Sequence, residues 1–112
     1  GPLTSYRRFI DVRDAVQVFP VLMEAAGNSR YEVFNIASPY EMRVSELTDR
    51  LIKLSGKSVR IESQLNDGNP FQGIKLELSK LEQYVPITLF RPINETLSDM
   101  LTETKKRQQC RG

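Results

Sequence analysis

The sequence RRFIDVRDAV, residues 7–16, passes from a strand pattern straight into a helix pattern. Residues 8–12 have the aromatic and β-branched composition of a short strand. From Arg13 to Ala26 the apolar residues recur with helical spacing, and Gly27 supplies a stop. Pro20 interrupts this helix, because proline removes the bond to the carbonyl of Val16 at a cost of about 3 kcal/mol. We therefore expect a kink or a late helix start.

The remaining patterns extend this strand-helix order along the chain. Residues 31–36, YEVFNI, predict a strand that is apolar on both faces, as in a sheet covered on both sides. Residues 44–54 predict an amphipathic helix closed by Gly56. Alternation predicts strands at 59–62 and 74–78, on either side of a polar loop at 64–73. A short helix with Ser79 as N-cap and ended by Pro86, and a last helix over 93–106, complete a β-α-β-α-β-loop-β-α-α order, which indicates an α/β fold with a small mixed sheet.

Composition excludes several classes of chemistry. The chain has 112 residues, enough for one domain over 1–112, with a net charge of +2. It has no histidine, which removes Ser-His-Asp and Cys-His catalysis and the commonest zinc ligand. We predict no metal site. A single cysteine, Cys110, favours a reducing compartment, so we expect a cytoplasmic protein. No run of about 18 apolar residues is present, so we expect no membrane partner.

Four segments together resemble the C-terminal part of an NAD-dependent epimerase/dehydratase, in the extended short-chain dehydrogenase/reductase family. They are RRFIDVRDAVQVF, YEVFNIAS, VSELTDRLIKLSGKSVRIE and LSKLEQYVP, in this order and at this spacing. The family patterns are roughly R-D-F-I-x-V-x-D-x-A, V-F-N-I-G-S, S-x-x-E-L-A-x-x-I and D-x-S-K-L. The resemblance covers most of the chain and implies the substrate-side part of a longer nucleotide-sugar isomerase or dehydratase, without most of its Rossmann domain.

The resemblance also defines what this chain lacks. In the family, a Rossmann domain binds NAD or NADP through a glycine-rich turn, and a Tyr-x-x-x-Lys pair moves the proton. This chain has no G-x-x-G-x-x-G or G-x-G-x-x-G, and none of its four tyrosines is followed by lysine at the fourth position. We therefore predict no catalytic residue and no cofactor site here, and no redox activity of the chain alone. The missing Rossmann domain is the expected partner.

Arg7 is the first predicted substrate residue, because it falls on the arginine that holds the substrate diphosphate in the family. A guanidinium is permanently charged and can bind phosphate through paired hydrogen bonds. The alternative is that Arg7 and Arg8 are solvated charges on an edge strand. The second family arginine is missing from the loop at 64–73, where Asn66 and Asp67 stand instead. We predict that Arg7, Asn66 and Asp67 line the remaining substrate pocket.

Other polar residues have structural interpretations. Asp11 and Asp14 fit a strand end and a helix start, where carboxylates favour the helix dipole. Lys80 and Asn35 are predicted to be architectural. Residues 105–112 form a basic tail that we expect to fray into solvent, with Cys110 exposed.

Two further hypotheses remain open. The chain can be a non-catalytic binding or oligomerisation module of the same architecture. It can also be an unrelated α/β protein whose basic tail contacts nucleic acid, although the mild net charge predicts no nucleic-acid partner. In the family the first helix and the YEVFNI strand belong to the Rossmann sheet. An isolated chain leaves these apolar elements uncovered, so we also expect homo-oligomers.

Overall fold

The computed structural model describes residues 3–29, 31–62 and 76–111, and these residues form a small α/β arrangement. Two short strands pair in one sheet, and four α-helices and one 3-10 turn follow the chain order. The predicted α/β class is therefore confirmed at this coarse level. The elements are β1 (Tyr6–Arg8), α1 (Val12–Ala26), β2 (Glu41–Arg43), α2 (Val44–Ser55), α3 (Ser79–Glu82), the 3-10 turn Ile87–Leu89, and α4 (Ile93–Arg111).

The chain divides into two compact units. The first unit comprises Gly1–Arg7, Met42–Gly73 and Pro92–Gly112, and the second comprises Arg8–Glu41 and Ile74–Arg91. Of the helices, α2 and α4 belong to the first unit and α1 and α3 to the second.

Helix α1 begins earlier than the proline suggested. Asp11 is its N-cap, with a carboxylate oxygen that accepts from the backbone N–H of Arg13 at 2.8 Å. This cap draws Val12 into the helix, so the predicted strand over 8–12 is wrong and the strand lies at Tyr6–Arg8. Pro20 is accommodated inside the helix, so a late start is also wrong. The predicted stop is confirmed, because Gly27 ends α1 with a φ of 56°.

The second unit has the apolar core. Val18 and Leu22 of α1 pack with Leu81, Val85 and Phe90, all of them buried. Half-buried side chains surround this cluster, including Phe34, Ile36, Tyr40 and Leu78.

Residues 31–36 do not form the predicted strand. Among the described residues their backbone groups make no strand ladder, and side chains hold the segment in place instead. Phe34 meets the Tyr84 ring edge-on at 6.0 Å between centroids, and the Asn35 amide donates to the Glu77 carbonyl at 3.1 Å. Residues 59–62 and 76–78 are also irregular, so these strand predictions are wrong where the chain is described.

In the first unit, α2 packs against α4. Helix α2 has no side-chain cap at Arg43; the first N–H groups, of Val44 and Ser45, donate instead to the carbonyls of Ser5 and Leu3 at 2.9 and 2.7 Å. Gly56 ends it in the left-handed conformation, as predicted. Helix α4 buries Leu97 and continues to Arg111, beyond the predicted end at Lys106.

The short helix α3 is capped differently from the prediction. Ser79 is its first residue rather than its N-cap. The side chain of Glu77, two residues before Ser79, replaces the expected cap. The Glu77 carboxylate accepts from the Ser79 N–H at 2.9 Å. The hydrogen bond of the Ser79 side chain, and then that of its backbone N–H, lowers the pKa of Glu77. The helix ends at Glu82, and Pro86 instead precedes the 3-10 turn.

Candidate functional site

Arg7 lies in β1 as an exposed residue of the first unit. Its Nη1 donates to the Tyr6 carbonyl at 2.9 Å, a contact with the preceding residue. The other predicted substrate residues, Asn66 and Asp67, lie outside the described residues, as does the rest of the loop at 64–73. The structure therefore describes one of the three predicted substrate residues, and their grouping stays a prediction.

Arg8 has a different role from its neighbour. Its Nη1 donates to the Ser38 carbonyl at 3.0 Å, and its Nη2 lies 3.6 Å from the Glu41 carboxylate. Its Nε is buried and has no hydrogen-bond partner in the described structure. Successive residues of a strand point to opposite faces, which separates the two arginines. Arg8 therefore holds the turn before β2, and Arg7 is the arginine that is disposed toward solvent.

The Asp11 carboxylate serves the start of α1. Besides its bond to the Arg13 N–H, it accepts from Arg13 Nε at 3.0 Å and from Arg13 Nη2 at 2.7 Å. Both carboxylate oxygens of Asp11 therefore accept hydrogen bonds from Arg13, two residues further along the chain. This agrees with the structural interpretation drawn from the sequence.

Asp14 makes the most buried polar contact of the second unit, and sequence reasoning missed its partner. Its side chain is 2% exposed and forms an ion pair with the guanidinium of Arg91. The backbone N–H of Arg91 also donates to Asp14 Oδ2 at 2.8 Å. A signal for burial was present, because Asp14, Val18 and Leu22 recur every four residues on one helix face. Nothing local points to a partner 77 residues away.

Lys80 connects α3 to the segment 31–36, as an architectural lysine. Its ammonium donates to Glu32 Oε2 at 2.7 Å and to the Val33 carbonyl at 2.8 Å. It also lies 4.4 Å from the centre of the Phe34 ring. The hydrogen bond from Lys80, with its positive charge, lowers the pKa of Glu32 below the ordinary glutamate value.

This contact gives a pH-dependent prediction. Because folding lowers the pKa of Glu32, its contribution to stability is present at neutral pH and is lost as the pH falls through that lowered pKa. We expect Lys80→Met to raise the pKa of Glu32 toward its ordinary value, measured by carboxyl NMR titration. The difference in thermal midpoint between wild type and Lys80→Met should shrink on acidification. Lys53→Met, on exposed α2, is the control, and an unchanged Glu32 titration in Lys80→Met would contradict the prediction.

The described residues offer neither a metal centre nor a dinucleotide turn. No group of three or more His, Cys, Asp or Glu side chains within them is placed to hold a metal ion. A dinucleotide site needs glycines before a helix N-terminus, whereas Gly27 and Gly56 each follow a helix C-terminus. No helix of the described part is long and apolar enough to cross a membrane.

Comparison of this chain with protein-family models, with curated proteins and with solved structures finds no match. The resemblance to the epimerase/dehydratase family therefore rests on the sequence motifs alone.

Proposed function

We propose that this chain is the substrate-binding, C-terminal part of an NAD(P)-dependent nucleotide-sugar epimerase or dehydratase. In this proposal a separate N-terminal Rossmann domain supplies the dinucleotide site and the Tyr-x-x-x-Lys pair, so the chain is inactive alone. The observation that carries the proposal is an uncovered apolar surface on the second unit, of the kind that a neighbouring sheet would cover.

The first part of this surface is a stripe along α1, which we call the α1 stripe. It consists of Val12, Val16, Phe19 and Met23, whose side chains are 55 to 75% exposed. At about 100° per residue these four positions fall within an arc of about 60°. The buried residues Asp14, Val18 and Leu22 lie on a different face of the same helix. Helix α1 is thus apolar on two faces and covered on one, which favours a second layer.

The second part is the outer face of residues 31–36. Phe34 and Ile36 pack against the core, while Tyr31 and Val33 are 83% and 57% exposed. A segment that is apolar on both faces is typical of a strand inside a covered sheet. Its lack of a strand ladder among the described residues supports the proposal that its neighbours belong to another domain.

The substrate chemistry of the proposal rests on Arg7. An exposed guanidinium stays charged at every physiological pH and can make paired hydrogen bonds to a diphosphate. We assign this role to Arg7 because it stands at the position of the family arginine, whereas Arg8 bonds Ser38 and Glu41. The loop at 64–73 has no arginine. We therefore expect this chain to bind the diphosphate more weakly than a site with two arginines does.

Binding of uridine diphosphate tests this assignment. We expect Arg7→Ala to weaken binding by about 1.5 to 3 kcal/mol, or roughly tenfold to more than a hundredfold, because one charged hydrogen-bond donor set is lost. Isothermal titration calorimetry measures the change. Arg60→Ala is the matched control, since the Arg60 side chain is 87% exposed in the same unit and pairs with the exposed Glu62 at 3.7 Å.

Two results would contradict the proposed function. One is equal affinity of wild type and Arg7→Ala for the diphosphate. The other is turnover of a uridine-diphosphate sugar by this chain alone with added NAD.

A second candidate function, an oligomerisation module, is favoured by charges beside the α1 stripe. Arg13 and Glu24 flank the same edge of the stripe. If two copies of α1 pair antiparallel through the stripe, Arg13 of one copy lies within about 3 Å, along the axis, of Glu24 of the other. Opposite charges would therefore meet twice across a two-fold axis, with each Arg13 sharing its guanidinium between Asp11 of its own chain and Glu24 of the other. Sedimentation equilibrium of the chain measures whether such dimers form.

A further inference from the structure

An apolar cavity in the second unit has no role in the proposed function. Its volume is about 310 Å³, at the lower end of the range of about 300 to 1,000 Å³ for small-molecule sites. The core residues Leu81, Val85 and Phe90, each at most 6% exposed, form its floor. Pro86 and the 62% exposed Ile87 contribute to its rim. This space is about twice that of a cavity that binds one benzene ring, so it has room for a ring or a branched alkyl group with its substituent.

The charge at the cavity is negative and comes from Glu82. Glu82 is the single ionisable residue among those that line the cavity, and its carboxylate has no ion pair or hydrogen bond in the described part of the chain. Lys80, the nearest cation on the same helical turn, is already bound to Glu32 and to the Val33 carbonyl. The cavity therefore combines an apolar floor with one carboxylate that has no counter-ion among the described residues.

We propose that this cavity binds a small organic cation, an amine that bears a compact aromatic or branched aliphatic group. The apolar group is buried against Leu81, Val85 and Phe90, and the ammonium stays near solvent beside Glu82. A carboxylate such as Glu82 attracts ammonium and repels an anion of the same shape. The site therefore selects the charge opposite to that of the diphosphate proposed for Arg7, and it does not depend on the proposed function.

Three probes that share a benzyl group and differ in charge test this proposal: benzylamine, benzyl alcohol and phenylacetate. In amide NMR titrations of the whole chain, we expect benzylamine to shift the signals of Val85, Ile87 and Phe90. Benzyl alcohol should bind more weakly, and phenylacetate should bind most weakly. Because the pair is partly exposed, Glu82→Gln should weaken benzylamine about two- to fivefold and leave benzyl alcohol unchanged. Ile87→Ala should weaken all three probes alike.

Glu24→Gln, an exposed charge on α1 outside the cavity, is the control and should change nothing. Glu82 and Ile87 are both exposed, so neither variant threatens folding, and their undisturbed spectra would confirm this. Shifts confined to other parts of the chain, equal binding of benzylamine and phenylacetate, or an unchanged benzylamine affinity in Glu82→Gln would each overturn the proposal.

Discussion

Replacement of Asp14 by alanine should lower the free energy of unfolding by about 3 to 5 kcal/mol. The reason is that Asp14 is 1% exposed and carries two contacts to Arg91, one to the guanidinium and one to the backbone N–H. Its removal leaves a partly buried cation and a backbone donor unpaired. Domains are stable by only about 5 to 15 kcal/mol, so the variant should lose a large share of its stability. Urea denaturation followed by circular dichroism measures the loss.

A double-mutant cycle separates the ion pair from the general cost of truncation. Asp14→Ala combined with Arg91→Ala should be less destabilised than the sum of the two single variants, because the double variant leaves no unpaired charge. Asp49→Ala, on the exposed side of α2, is the matched control and should change stability by less than about 0.5 kcal/mol. A loss below 1 kcal/mol in Asp14→Ala would contradict the assigned role.

Helices α1 and α2 could be predicted almost to the residue, because their signals are local. The 3.6-residue spacing of Val44, Leu47, Leu51 and Leu54 and the stop at Gly56 are all contained in thirteen residues. The start of α1 was missed by one residue, since the spacing does not show that Asp11 would cap it. Pro20 shows that a local signal can also be overridden by burial. A proline inside a helix costs about 3 kcal/mol, and the burial of Val18 and Leu22 on the same helix outweighs this cost.

Strands were predicted less well, because a strand exists only where another strand pairs with it. Residues 31–36 are apolar on both faces, as a covered strand is, yet among the described residues they have no ladder. The sequence pattern indicates that this segment suits a position inside a covered sheet. The described residues supply no neighbouring strands for it. Conversely, β2 at Glu41–Arg43 has no strand pattern and forms because β1 pairs with it.

The candidate site shows the same division between local and distant contacts. The exposure of Arg7 could be predicted from the sequence, since it depends on one residue in one strand. The role of Arg8 depends on Ser38, and that of Asp14 on Arg91, at separations of 30 and 77 residues. Without a structure, neither pair could be distinguished from solvated surface charges.

The α1 stripe supports the second prediction with a large effect. We expect the chain to self-associate at high concentration, because an apolar stripe of four exposed residues gains by leaving water. Phe19→Asp should raise the dissociation constant by about 100-fold or more, because association would bury an unpaired carboxylate. Phe19 is 55% exposed, so the variant should keep its fold. Sedimentation equilibrium measures the constant, and Met100→Asp, a 59% exposed methionine on α4, is the control.

Charge variants then identify what covers the stripe. In an antiparallel pair of α1 helices, Glu24→Lys places a lysine near Arg13 of the second copy, so association should weaken in proportion to the lost attraction and more strongly at low salt. A different result would be that Phe19→Asp abolishes association while Glu24→Lys does not. Association would then depend on apolar contact without specific charge pairing, and such a surface suits a sheet of another domain, as in the proposed enzyme. A strict monomer at high concentration would contradict self-association and would remove the support that the α1 stripe gives to the oligomerisation module.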